Sequence, residues 1–259
     1  MRYFAELSYK GTNYNGWQRQ PNAPSVQQTI EEAFSLILRT PTLIMGCGRT
    51  DTGVHASQFF IHFDLEVIPK GFERDFKKTF LNRVNKYLPT DIAIHRIFEV
   101  KENAHVRFDA YFRAYEYHLV FEKNPFLAET AFRFSQGKKI DFEKMQAAAK
   151  LLLNYEEFFT FCKTKSDAKT MLCDIKRSEW VWEKEGKHLV FHISANRFLR
   201  GMVRLVVGMC INVGLGKVSL EEVKEALDGQ KRLKKSYSVP PNGLFLTEIK
   251  YPEEVMNIE

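Results

Sequence analysis

The segment Gly46-Cys47-Gly48-Arg49-Thr50-Asp51-Thr52-Gly53-Val54-His55-Ala56 constrains this chain more than any other. It places one carboxylate among three glycines, beside an arginine, between two stretches that read as strands. Residues 42–46 form a short apolar run. Residues 57–65 alternate, with Phe59, Ile61, Phe63 and Leu65 on one face and Phe60, His62 and Asp64 on the other. Glycines admit positive φ angles and close backbone approach. Asp51 is therefore expected on a tight, reachable loop between two strands. An aspartate in such a turn can also do no more than bind nearby amides. The run is not a phosphate loop, because no Gly-x-x-x-x-Gly-Lys-Ser/Thr is present.

The pattern around this loop predicts an α+β fold. Residues 2–9 read as a strand. Ser25-Val26-Gln27-Gln28 reads as a capping box for a helix with Val26, Ile30, Ala33, Phe34, Ile37 and Leu38 on its apolar face, stopped by Pro41. A second helix is predicted over 73–88, ended by Pro89, and a strand over 91–100. The order is β-α-β-β-α-β, the ferredoxin-like unit. The second half repeats it. A strand is predicted over 111–121, a helix over 141–153 capped by Asp141, and strands near 172–183 and 187–195. Helices follow over 197–213 and 219–228, then a strand over 244–250. Two ferredoxin-like halves are expected, 1–105 and 106–259, with a central active-site cleft between mixed or antiparallel sheets.

Composition narrows the function classes. The chain has 259 residues and a net charge of +6, which favours a polyanionic partner whose affinity falls as salt rises. The 22 Phe must be mostly core, since so many exposed rings would make the surface adhesive. Cys47, Cys162, Cys173 and Cys210 form no C-x-x-C pair, so reduced thiols are expected rather than zinc or disulfides. The longest apolar stretch, Leu205 to Val213, is too short to span a bilayer. The N-terminus has no signal-peptide pattern. A cytoplasmic protein is expected.

The string Gly-Arg-Thr-Asp-Thr-Gly-Val-His-Ala resembles the catalytic-aspartate motif of the TruA-type tRNA pseudouridine synthases. Other segments match that family in order along nearly the whole chain. They are Tyr9-x-Gly11-Thr12-x-Tyr14-x-Gly16-Trp17-Gln18-Arg19-Gln20 with Ser25-Val26-Gln27, then Phe108, then Arg113 to Tyr117. Phe159 to Lys163, Asn196 to Arg204, and Pro240 to Leu246 complete the set. Two departures stand out. Thr52 replaces a frequent alanine, and Ala114 and Glu116 flank Tyr115 where many members carry basic residues.

The resemblance implies an isomerase that converts uridine to pseudouridine at positions 38 to 40 of the tRNA anticodon stem-loop. It implies a homodimer in which one tRNA contacts both subunits, and no cofactor or metal. Asp51 would be the catalytic carboxylate, attacking either C6 of uracil or C1′ of the ribose. Such a carboxylate must stay ionised, and an adjacent cation favours that. By the family's Met-Val-Arg motif that cation is Arg204. Helix periodicity adds Arg197 and Arg200 to the same stripe and alone leaves Arg204 facing solvent or another carboxylate. Tyr115 would stack on the extruded uracil, and Leu244 would form an apolar wall beneath it. Arg49 would fill the space left by the flipped base or hold a phosphate.

Alternation along 112–119 puts Arg113, Tyr115 and Tyr117 on one face, a set suited to RNA. Trp17, Gln18 and Arg19, and the cluster Lys231-Arg232-Leu233-Lys234-Lys235, are further candidate RNA contacts; Trp17 serves equally as structure. His55 and His62 match no zinc spacing. The alternative from another class is a non-catalytic RNA-binding or chaperone protein of two ferredoxin-like units. It would not need Asp51, Tyr115 and Arg204 together.

Overall fold

The computed structural model of the chain describes residues 1–163 and 169–256. They divide into two compact units, Met1–Tyr111 with the residues from Leu246 onward, and Phe112–Phe245.

The first unit carries β1 (Arg2–Tyr9), α1 (Val26–Leu38), β2 (Met45–Gly46), β3 (His55–Asp64), α2 (Phe76–Tyr87) and β4 (Ile92–Val100). β1 lies between β4 and β3, antiparallel to both, with Tyr3 opposite Phe63 and Glu99. β2 pairs with β3 through Met45 opposite His62. Ser25 caps α1 by accepting the Gln28 N–H at 3.2 Å. The helix leaves its path at Arg39, which adopts a left-handed φ of 58°. Pro41 follows two residues later, where a proline cannot continue a helix.

One face of this sheet carries an aromatic cluster. Phe80 of α2 stands 4.8 Å from Phe34 of α1 and 5.4 Å from Phe76, and Phe34 meets Phe63 edge-on at 5.1 Å. Full burial of such a ring contributes roughly 2–3 kcal/mol. The other face is also covered. Phe4 and Phe60 both pack edge-on against Tyr251, whose hydroxyl donates to the Val106 carbonyl at 2.6 Å. The alternation read along 57–65 thus serves two buried faces.

The second unit carries β5 (Phe112–Val120), β6 (Phe132–Arg133), α3 (Phe142–Leu151), β7 (Ile175–Lys184), β8 (His188–Ala195), α4 (Met202–Gly214) and α5 (Leu220–Asp228). β8 pairs antiparallel with β5 and β7, placing Tyr117 and Trp180 opposite Phe191. β6, which no sequence signal indicated, adds to β5 in parallel. Asp141 caps α3 by accepting the Lys144 N–H. The last strand, β9 (Leu244–Lys250), begins in this unit and continues in the first, beside β3. There the Ile249 N–H donates to Gln58 Oε1 at 2.8 Å. A short α6 (Glu253–Met256) follows. Among the described residues, no helix is long and apolar enough to cross a membrane.

One helix differs from expectation. α4 starts at Met202, not near 197, because Gly201 adopts a left-handed φ of 69°. Arg197 and Arg200 lie ahead of it, so the expected three-arginine stripe does not exist. α4 is buried on nearly every side, as its continuous apolar run requires.

His62 shows what burial does in the first unit. Its Nδ1 accepts the Val106 N–H at 3.2 Å. Burial first, then the Arg2 charge and His105, lowers its pKa from 6.5 to about 4. A depressed pKa means the unfolded chain takes up the proton first. The stability from neutral His62 is complete above pH 6.5 and is lost as pH falls towards 4. His62→Gln should flatten the slope of the urea midpoint against pH across that window. An unchanged slope would show that His62 does not set it.

Candidate functional site

The Asp51 loop joins β2 to β3, and the segment after β1 holds it from below. The Trp17 N–H donates to the Thr50 carbonyl at 3.2 Å, and the Gly53 N–H to the Tyr14 carbonyl at 3.3 Å. The Tyr9 and Thr50 hydroxyls share a hydrogen bond of 2.9 Å. Within the loop the Val54 N–H closes a turn onto the Asp51 carbonyl at 3.1 Å. Gly16 has a φ of +85°, and a Cβ there would stand 2.5 Å from the Thr50 oxygen. Only glycine combines that angle with that approach.

Trp17 is buried, 2% exposed, and stacks on Phe59 at 4.2 Å. It is packing beneath the loop and not an RNA-facing ring. The polar residues of the same motif form a second brace. Gln27 accepts from Gln18 Nε2 and the Arg19 N–H. Buried Glu31 accepts from Gln27, Arg19 and the Ile44 N–H. That satisfies a carboxylate that burial would otherwise penalise. The result leaves Asp51 half-buried and Arg49 exposed on a loop fixed through its backbone.

His55 and His62 are both occupied structurally. His55 is fully buried and its Nδ1 accepts the Gly11 N–H at 3.0 Å. Among the described residues, no three His, Cys, Asp or Glu side chains gather as a metal set.

In the second unit, Tyr115 of β5 is half-buried and meets Phe198 edge-on at 5.2 Å. Its strand neighbours divide by environment. Arg113 donates to the Asn196 carbonyl at 3.0 Å. Tyr117 is fully buried, its hydroxyl donating to the Pro240 carbonyl at 2.8 Å, and burial pushes the phenol far up. The expected face of one cation and two phenols is therefore accessible at Tyr115 and core at Tyr117. Glu116 points to the other side of the strand, 3.4 Å from both His118 and His192. Hydrogen bonds to His118 and then His192 hold its carboxyl well below the usual range. The acidic departure from the family pattern thus has partners of its own on the face opposite Tyr115.

Arg204 is half-buried on α4, and its Nε donates to the Val239 carbonyl at 2.7 Å. This bond is the end of a seam that sequence reasoning missed. The Val239 N–H donates back to the Arg204 carbonyl at 3.3 Å. Asn212 Nδ2 donates to the Lys235 carbonyl at 3.0 Å. Between them a Cβ on Gly208 would stand 1.7 Å from the Tyr237 oxygen. Residues 204, 208 and 212 share one helix face, and 239, 237 and 235 run along it. Four helical residues rise about 6 Å and two extended residues about 6.6 Å, so the two repeats keep step. A glycine at the centre of an apolar helix was the available signal. Leu244, 6% exposed, opens β9 just after this segment. The basic cluster at 231–235 is mostly exposed, with Arg232 over the Phe159 ring at 5.6 Å.

The seam makes a directional prediction. Ala is favoured over Gly within a helix by about 1 kcal/mol. At residue 208 the clash with the Tyr237 backbone should outweigh that gain. Gly208→Ala should lower the thermal midpoint, as read by calorimetry. A raised midpoint would mean that the segment is not seated on Gly208.

Comparison with known proteins agrees with the motif order. A family model described as tRNA pseudouridine synthase matches residues 148–252. The tRNA pseudouridine synthase A of Porphyromonas gingivalis is 43% identical over 254 residues, covering 98% of both chains. That of Bacteroides fragilis is 42% identical over 254 residues with the same coverage. That of Francisella tularensis subsp. novicida is 33% identical over 256 residues, 97% of this chain and 94% of the relative. Full-length identity at this level, together with an intact Asp51 loop and its brace, means that this chain belongs to the tRNA pseudouridine synthase A family.

Proposed function

We propose that this chain converts uridine to pseudouridine in the anticodon stem-loop of tRNA, at positions 38 to 40, with Asp51 as the catalytic carboxylate. The observation that carries this is full-length similarity to tRNA pseudouridine synthases A from three organisms. The chemistry balances without a redox partner. The N1–C1′ bond breaks, the base turns, and a C5–C1′ bond forms. The hydrogen on C5 leaves as a proton and N1 gains one. A carboxylate at C6 of the base or C1′ of the sugar holds the detached fragment during the turn.

The remaining roles follow from the resemblance and fit each unit's own geometry. Arg204 supplies the cation of the substrate site; the Val239 carbonyl accepts from its Nε, which fixes the guanidinium's direction. Tyr115 stacks on the uracil, its plane set by the Phe198 edge. Leu244 provides the apolar wall, and Arg49, exposed on the loop, contacts the RNA. The ferredoxin-like plan of each unit is supported by element order, β-α-β-β-α-β in the first with β1 between β4 and β3. A homodimer in the cytoplasm acting without cofactor or metal completes the proposal.

The test is tritium release from C5-labelled uridine in an unmodified tRNA transcript, with no metal or cofactor added. Wild type should release tritium. Asp51→Ala should lose at least about a thousandfold in rate while binding tRNA within a few-fold of wild type. Near-normal release from Asp51→Ala would remove Asp51 from the chemistry. No release from folded wild type would favour a binding protein.

A further inference from the structure

We propose that a pocket at the Lys235 end of the α4 seam holds one nucleotide of the bound RNA, distinct from the reacting uridine. It rests on the proposed tRNA substrate.

The pocket has a volume of about 420 Å³, within the range of small-molecule sites. Phe134, Ile211 and Leu215 supply apolar surface, and Lys217, Lys235 and Tyr237 supply charge and a phenol. Asn212, Gln136 and Ser236 add amide and hydroxyl groups. No carboxylate lines it among the described residues. α4 ends beside this pocket, and its carbonyl end carries about half a negative charge. Two ammonium groups exceed that. Lys235 Nζ donates to the Lys217 carbonyl at 3.0 Å, which uses one of three ammonium hydrogens and steadies the group at the rim. Cations beside two aromatic side chains suit a phosphate joined to a base, since bases stack on aromatic rings whatever their sequence.

Position sets which nucleotide this is. Arg204 and Asn212 are eight residues apart on α4, roughly 12 Å along its axis. Tyr237 links the two places: its backbone sits on Gly208 and its phenol feels the Arg204 charge. A uridine held at Arg204 therefore leaves this pocket to a neighbouring nucleotide. The pocket would fix the register of the strand along α4.

The experiment measures pseudouridine formation and tRNA binding over a salt series for wild type, Lys217→Gln/Lys235→Gln, and Phe134→Leu. The lysine pair should raise KM about tenfold, with kcat within twofold. Its plot of log affinity against log salt should be shallower by about 1, the value for one lost phosphate contact. Phe134→Leu keeps apolar volume but loses the ring, and should raise KM several-fold with the salt slope unchanged. Unchanged KM in both variants on an active wild type would overturn the pocket. A rise confined to the lysine pair would overturn the nucleotide in favour of a bare phosphate contact. An inactive wild type would instead remove the tRNA-modifying function.

Discussion

The backbone contact between the Gly16–Trp17 turn and the Thr50–Asp51 loop governs the first unit. Thr50 offers its carbonyl to Trp17, and Gly16 lies too close beneath it to carry a side chain. That contact holds the loop's backbone from outside, alongside Gly53 within it, whose φ is 75°. Trp17 stacked on Phe59 ties that contact to the β3 core, so the Asp51 carboxylate rides on sheet packing. Preorganised placement of this kind is what a reacting group needs, because small misplacements are costly in rate.

The second unit solves a similar problem with a helix. α4 is apolar enough to be buried on almost all sides, yet it carries the half-buried guanidinium of Arg204. Arg204 sits at its first turn, where the helix leaves the core, and an extended segment is laced along the face it starts. Gly208 lets that segment come within hydrogen-bond range at both ends. The arginine gains a fixed backbone partner at Val239, whose carbonyl accepts from its Nε.

Much of this was legible from residue order. Periodicity located the long helices and strands of the described residues, because their apolar faces are simple and the two caps read from sequence, Ser25 and Asp141, are of the expected chemistry. Errors arose where backbone conformation outranked pattern. The 197–201 stretch carries helical periodicity, but Gly201 turns left-handed and delays α4. Tyr117 looked like a partner of Tyr115, but alternation gives a face and not its depth, and Pro240 lies over one end of that face. The brace of Gln18, Arg19, Gln27 and Glu31, and the seam along 235–239, depend on contacts between segments far apart in sequence. Only Gly208, a glycine inside an apolar helix, gave a local signal of the seam, and none announced the brace. The roles of Arg204 and Leu244 came from resemblance, whereas Tyr115 was also marked by strand alternation and Arg49 by its place beside the Asp51 loop.

The central claim is that a carboxylate held by a fixed backbone performs the isomerisation. Asp51→Glu tests it most directly, by single-turnover pseudouridine formation on a tRNA transcript. It keeps the charge and moves it by one methylene. If the loop is rigid, the longer side chain cannot be accommodated by backbone retreat. The account predicts a rate about as low as for removal of the carboxylate, with tRNA affinity close to wild type. A rate near wild type would contradict it, and would mean that charge, not fixed position, is all the reaction takes from residue 51.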